Sequence, residues 1–508
     1  IVMTPDKQPF FFFFYIPKNG RFGRTGLMEL GPRLEHLWRN QRNDVLSAAA
    51  GIVSAIDGVF DFENDPAPSR QLFQNATGRL EKSFDPDYGG FDGAPKFPTP
   101  HRLRYLLGQH RRTGDERALA MATKTLYAMR LGGIWDHVGF GFHRYSTDAE
   151  WRVPHFEKML YDQALLAMAY LEAFEATGDS FFSQTAEEVF AYVLRDLKNP
   201  IGGFCTAEDA DSEGEEGKFY VWSKAEFRDT LKDENPQRWE DVFGISDGGN
   251  FHDEASRKLT GTNIPYLKAP LSSAADALKL APADLENGWE QARGLLFSRR
   301  SVRARPLLDD KVLCDWNGLM IAALAMGSRI LKKPEYGQIA ADAARFILDR
   351  MTDGSGRLYH RFRDHDTAIE GQASDYAFFI MGLIELYRAS SESHFLNTAI
   401  RLQNQMIADF KDNDNGGYFM TAHHAEPLPA RPKELYDGAT PSANSVTFSN
   451  LTWLFQLTQH PEFKEEAQSL VKGCAGSVNR QPVAYTHFLM GLDLFLNSGS
   501  DSGSRNPA

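Results

Sequence analysis

From Arg70 onward the chain repeats one local pattern. Helical stretches come in pairs, separated by loops where glycines stand beside aromatics. These loops are YGGFDGAPKFP (88–98), GGIWDHVGFGFHRYS (132–146), GGFCTAEDADSEGEEGKFYVW (202–222), GSGRLYHRF (354–362) and GGYF (416–419). Gly-Gly after a helix is expected to supply a left-handed C-cap, and the following aromatics suit a short hairpin. The spacing is irregular, so the pattern is a degenerate repeat rather than a solenoid. Roughly twelve or thirteen helices fit between residues 70 and 497. Six helical hairpins closing into a toroid is the simplest architecture for that count. Inner helices of such a ring touch neighbours on every side, and ALLAMAYL (164–171) reads as one of them. Loops at one end would then converge on a central funnel.

At 508 residues the chain implies two domains, or one large repetitive one. Residues 1–60 read differently from the rest. IVMT and PFFFFFYI are strand-like with PDK as the turn, and the five-Phe run predicts a strand covered on both faces. One amphipathic helix is expected from Leu27 to about Ile56, with Leu27, Leu30, Leu34, Leu37 and Trp38 on one stripe. DFENDPAPS (61–69) reads as a linker, residues 70–497 as the ring, and 498–508 as a disordered tail. The net charge of −13 disfavours nucleic acid as a partner. No apolar run approaches the ~18 residues of a membrane span, so no membrane association is expected. The opening residues lack a basic n-region and a small-residue cleavage site and are not read as a signal peptide; a cytoplasmic location is the expectation. Cys205, Cys314 and Cys474 are too far apart in sequence for a CxxC site and read as buried small hydrophobes.

Several long blocks carry a family resemblance. They are GGFDGAPKFPTP, GGIWDHVGFGFHRYSTDAEWRVPHFEKMLYDQALL, EDADSEGEEGKFYVW, LLDDKVLCDWNGLMIAAL and SDYAFFIMGLIELY. Together they resemble the family of spermatogenesis-associated protein 20 and its bacterial relatives, which join a thioredoxin-like domain to an (α/α)6 barrel. That barrel is in turn similar to those of N-acylglucosamine 2-epimerases and cellobiose 2-epimerases, an analogy of fold. The implied fold class is mainly α, an (α/α)6 barrel preceded by a partial thioredoxin-like α/β segment. Residues 1–60 resemble only the second half of the thioredoxin-like domain, without its cysteine motif. Phe140 stands where the family usually has glycine, and is expected to narrow the pocket floor.

The candidate chemistry gathers before ALLAMAYL. Pro154 suits the first position of a helix, which places His155 in the first turn beside the positive end of the macrodipole. There the imidazole should stay neutral and able to accept a proton. Glu157 would orient it, and Asp162 would share its face. Trp151, Arg152, His143, Arg144, Asp136 and His137 lie on the preceding loop. An aromatic beside arginine, histidine and carboxylates is what a polyhydroxylated ligand requires. In EDADSEGEEGKFYVW, Asp209, Asp211, Glu213 and Gly214 match the start of a calcium loop, but Tyr220 replaces its bidentate Glu. Glu208, Asp209 and Asp211 are therefore expected to accept hydrogen bonds from ligand hydroxyls or arginines, with no metal bound. Asp315 reads as an N-cap, followed by Trp316 and Asn317 as a second stacking wall. Asp375 and Tyr376, and later Asp437, Ser442 and Asn444, open further inner helices. No Walker, GxGxxG, HExxH or GxSxG motif is present, and no cofactor is expected.

Three readings follow. The first is a sugar- or polyol-recognising barrel acting as an aldose epimerase or isomerase, with His155 and Glu157 catalytic and Trp151 and Trp316 stacking the ring. Its second proton-transfer group is unassigned, because GQASDYA carries Gln372 where similar barrels place a histidine; His487 is a candidate. The second is a non-catalytic binding or redox-associated module with a protein partner on the thioredoxin-like segment. The third is glycoside hydrolysis by carboxylates drawn from Glu157, Asp162, Glu208 and Asp209.

Overall fold

The computed structural model describes residues 1–13, 16–20, 25–56, 68–252 and 259–497. Val2–Met3 pairs antiparallel with Pro9–Phe11, as the hairpin reading predicts. The Phe run is not covered on both faces: Phe10 stacks on Trp38, but Phe12 is 68% exposed. The single helix expected after it is two, α1 (Leu27–Asn40) and α2 (Arg42–Ile56), the second packed on Pro9–Phe11. Leu27 and Leu37 of the expected stripe are exposed. The linker falls mostly outside the described residues, and the tail wholly so.

Six helical hairpins then close a ring. Outer α3 (Gln71–Ser83) is followed by inner α4 (Pro100–Thr113), and outer α5 (Glu116–Leu131) by inner α6 (Leu160–Thr177). After outer α7 (Ser180–Tyr192) comes an insertion holding α8 (Lys224–Thr230), α9 (Pro236–Val242), α10 (Leu271–Leu278) and α11 (Pro282–Arg300). The alternation resumes with inner α12 (Cys314–Ile330), α13 (Pro334–Arg350), inner α14 (Ala373–Ser390) and α15 (Ser393–Phe410). It ends with inner α16 (Ala443–Thr458), α17 (Pro461–Arg480) and inner α18 (Thr486–Asn497). Each inner helix packs on the next, and α18 returns to α4. On the outside, Arg70 donates to Asn497 at 3.1 Å and Arg79 to the Arg480 carbonyl at 3.0 Å. Residues Leu160–Ala173 of α6 are buried without a break, as an inner position demands. One apolar core fills the ring, and a second one, built on Trp222, Trp239, Phe243 and Trp289, supports the insertion.

The glycine-aromatic loops do form small hairpins; Gly132 caps α5 in an extended rather than left-handed conformation, and the other loop glycines sit inside the turns. Single antiparallel bridges join Phe84 to Phe91, Trp135 to Phe142, Lys198 to Phe204, Thr352 to Leu358 and Lys411 to Tyr418. Each bridge follows an outer helix. In three of the loops an inner-helix amide clamps the aromatic. Gln163 bonds both the N–H and the carbonyl of Phe142 (2.9 and 2.7 Å), Asn317 those of Phe204 (2.8 and 3.0 Å), and Asn444 those of Tyr418 (2.8 and 3.0 Å). A side-chain amide can donate and accept at once, which is why Asn or Gln serves there. The left-handed glycine caps close inner helices instead, at Gly114 and Gly178.

Candidate functional site

The starts of the inner helices lie at one end of the ring, where the loops converge. A cavity of about 330 Å³ opens there between the starts of α4 and α6 and residues 436–439. Phe91, Phe97, Tyr161 and Tyr436 supply aromatic surface, while Arg144, Asp162, Asp437 and His101 supply polar groups. Two of these groups are buried with an atom unmatched by the protein: Oδ2 of Asp162 and Nδ1 of His101. An unpartnered buried polar atom costs about 1–3 kcal/mol; such atoms also occur elsewhere, as at Trp135 Nε1 and Arg300 Nε, but here two of them belong to residues of one cavity wall. Burial, with the charge of Glu157 added, pushes the Asp162 carboxyl well above the usual carboxylate range against the opposing pull of Arg144. Burial raises Asp437 to about 7, although it accepts the N–H groups of Ser442 and His487. His101 is held neutral, its pKa lowered to about 3 by burial and the neighbouring Arg102.

His155 is placed differently from the sequence reading. Pro154–His155 is a strand paired with Tyr145–Ser146, and α6 begins only at Leu160. No macrodipole acts on the imidazole. Its Nδ1 bonds Glu216 at 2.7 Å, its Nε2 lies 3.2 Å from Glu157, and Tyr145 stacks on its face. The bond to Glu216 raises its pKa despite partial burial, so the fold favours the protonated imidazole here, opposite to the neutral ring expected beside a helix N-terminus. It stands near the rim, since Tyr145 also stacks on Phe97 and Glu157 pairs with Arg144 at 2.9 Å, but it does not line the cavity.

Much of the preceding loop is structural. Trp151 is wholly buried, with φ +62° and its indole N–H donated to the Tyr88 carbonyl, so it offers no stacking face. Arg152 is exposed, paired with Glu150 and lying over Tyr266. Asp136 accepts both arms of Arg300 at 2.8 Å and Lys158 at 2.8 Å. His137 caps the end of α5 through the Gly132 carbonyl, and His143 bonds the Phe156 carbonyl; burial lowers each to about 3. Phe140 adopts φ +67°, which explains a glycine preference there, and packs under Arg293 outside the cavity.

The acidic segment is a tight hairpin, Asp211–Ser212 against Glu215–Glu216, turning through Glu213 and Gly214 with φ +54° and +79°. Asp209 and Asp211 are exposed on it, whereas Glu208 is buried between the Tyr192 hydroxyl (2.7 Å) and Arg305 (2.6 Å). That turn is not an EF-hand loop. Asn317 clamps its loop as described, and the Tyr376 hydroxyl accepts the Leu358 N–H. Trp316 meets Tyr161 of the cavity wall edge-on at 4.8 Å.

Beside Trp316 the sequence reading missed a residue. His360, on strand Tyr359–Arg363, points its Nδ1 at both oxygens of Asp375 (3.0 and 3.1 Å), with Asp315 adjacent. Asp315 is not an N-cap, since α12 starts one residue earlier; Asp375 forms a capping box with Gln372. Burial and the charge of Asp375 raise Asp315 to about 7. Burial opposes a charge on His360, but the bond to Asp375 outweighs it and lifts the imidazole to about 9. His360 lies in YHRF, among residues read as hairpin, and its partner belongs to the next element.

The helical ring with its polar mouth defines an (α/α)6 barrel protein. No family model matches the chain. It is 36% identical to human spermatogenesis-associated protein 20, aligned over 96% of this chain and 67% of that protein. The chain belongs to the spermatogenesis-associated protein 20 family, spanning about two thirds of that relative's length. Among solved structures it is similar to D-mannose isomerase (TM-score 0.53, 11% identity, 85% of this chain and 100% of that one). It is likewise similar to cellobiose 2-epimerase from Bacillus thermoamylovorans (TM-score 0.52, 10% identity, 83% and 98%). At such identities these likenesses concern the fold. Among the described residues no helix is long and apolar enough to cross a membrane.

Proposed function

We propose that the cavity at the ring's mouth binds a carbohydrate-like polyol and that Asp162 transfers a proton on it, in an aldose isomerase or epimerase reaction. The observation that carries this reading is the Asp162 carboxyl, buried in an aromatic-lined cavity with one oxygen unmatched. A sugar hydroxyl or carbonyl satisfies that oxygen in either protonation state, and the aromatics stack its apolar face. The cavity volume is at the lower end of the range typical of small-molecule sites, about 300–1,000 Å³. Arg144 lies within the cavity wall to steady an enediolate oxygen, and the neutral His101 Nδ1 can take or give a hydrogen bond at the floor. Asp162 thereby takes the role that sequence reasoning gave to His155. The names of the solved neighbours, an isomerase and an epimerase, agree with this class.

The test is deuterium exchange at C2 of D-mannose and cellobiose in D2O, followed by proton NMR. Wild type should exchange, Asp162→Asn should be slower by about 10²–10⁴, and His155→Asn should stay within tenfold of wild type. Undiminished exchange by Asp162→Asn would sink the assignment. A second reading rests on Asp437, another buried carboxyl in the same cavity: acid-assisted glycoside hydrolysis by Asp162 and Asp437. Release of reducing ends from an oligosaccharide, without C2 exchange, would select it.

A further inference from the structure

We propose that Asp315, His360 and Asp375 form a binding site for one divalent first-row transition-metal ion. The three ligand atoms come from three elements (the start of α12, strand Tyr359–Arg363 and the start of α14) and lie within 4.8 Å of one another. Among the described residues, no other group of three histidine, cysteine or acidic side chains does so.

The spacing suits an ion. Nδ1 of His360 stands 3.0 and 3.1 Å from the Asp375 oxygens. Two ligands at right angles around an ion, each about 2.1 Å from it, are separated by roughly 3 Å. The notch between imidazole and carboxylate, now holding one proton, is where the ion belongs.

The carboxylates are already aimed. The Asp315 N–H holds Oδ1 of Asp375 at 3.1 Å, and the Gln372 N–H holds Oδ2 at 2.7 Å. Oδ1 of Asp315 accepts the Trp316 N–H at 2.8 Å, and Ser374 bonds the same carboxylate. Outer bonds of this kind fix ligand orientation in metal sites. Charge supplies the remaining argument. Two buried carboxyl groups, Asp375 wholly and Asp315 nearly so, converge on one imidazole, more acidic ligands than a simple ion pair requires. A divalent ion with a neutral imidazole balances both. One imidazole nitrogen with carboxylate oxygens favours ions such as Zn²⁺ or Mn²⁺ over Mg²⁺. His360 is partly exposed, which leaves a way in.

The experiment uses the full chain, stripped with EDTA and dialysed. Zn²⁺ is titrated by calorimetry and Mn²⁺ by loss of its free-ion paramagnetic resonance signal. The expected result is one ion per chain and a higher melting temperature with Zn²⁺. His360→Gln and Asp315→Asn should each weaken binding by about tenfold or more, and lose the melting shift. Asp315→Asn keeps the Asp375 capping box, so a folded variant is available if His360→Gln misfolds. Absence of binding, or equal binding by a folded variant, overturns the proposal. Equal affinity for Mg²⁺ overturns its transition-metal character.

Discussion

Two groups of buried charge lie close in sequence but differ in how they are satisfied. Beneath the insertion, Asp136, Lys158, Arg300, Glu208, Tyr192 and Arg305 answer one another. At the ring's mouth, Asp162 and His101 each keep an atom unmatched. The first group fixes the insertion to the barrel; the second leaves bonds for a visitor. Residue type does not separate the two, because both are carboxylates among arginines and aromatics. Saturation of the carboxylates separates them: both oxygens of Asp136 and of Glu208 are bonded, although Arg300 Nε has no partner, whereas Oδ2 of Asp162 is left over.

The sharpest way to break this contrast is to remove one member of the saturated group. Arg300→Ala takes the two-armed partner from Asp136, leaving Lys158 as its one bonded cation, and should cost about 3–5 kcal/mol in urea unfolding. A loss below about 1 kcal/mol would make that network ornamental. Next, Asn317→Ala deprives the Phe204 N–H and carbonyl of their partner and should cost roughly 2–4 kcal/mol.

The unsaturated side should respond in the opposite manner. Asp162→Asn should stay within about 1 kcal/mol of wild type at pH 7 while slowing the proposed C2 exchange by about 10²–10⁴. Its pH profile carries a sign as well. A carboxyl raised on folding binds more protons in the native state than in the unfolded one above the ordinary carboxylate range. Wild type should therefore lose stability as pH rises beyond that range, and the Asn variant should lack this slope. An unchanged slope would show that Asp162 ionises freely.

The smallest effect belongs to the rim. His155 is raised by Glu216, and Glu216 is lowered by His155. The histidine's contribution is complete below its unfolded pKa and lost as pH rises through the folded one. The glutamate's is complete above its unfolded pKa and lost as pH falls through the folded one. The pair thus stabilises most between those limits, with Glu157 and its partner Arg144 adjoining. His155→Asn should flatten thermal stability above neutral pH by under about 1 kcal/mol, since both side chains are partly exposed.

The ring itself was legible because burial on every side leaves an unbroken apolar run, as in Ala164–Leu171. Asp162 was legible because it stands just before that run. His155 was misplaced for a physical reason: VPHF fits a helix start locally, but its backbone pairs with Tyr145–Ser146, and the turn between them requires Trp151 at positive φ. Non-local pairing overrode a local signal. His360 was invisible for a related reason, since its meaning comes from Asp315 and Asp375 on two other elements. The insertion's four helices, α8–α11, lie beyond the twelve or thirteen expected from the sequence, and periodicity reports amphipathicity rather than which core a helix joins.

The closure of the ring also bears on how the chain reaches it. The bonds from Arg70 to Asn497 and from Arg79 to Arg480 span 427 and 401 residues. Every earlier hairpin can dock on its predecessor as it is made, whereas the last seam waits for α18. Until then the flanks of α4 and α16 that α18 covers stand open, an adhesive state of the kind that chaperones attend. Slow folding should therefore be confined to that final seam, with the sixth hairpin setting the pace of assembly.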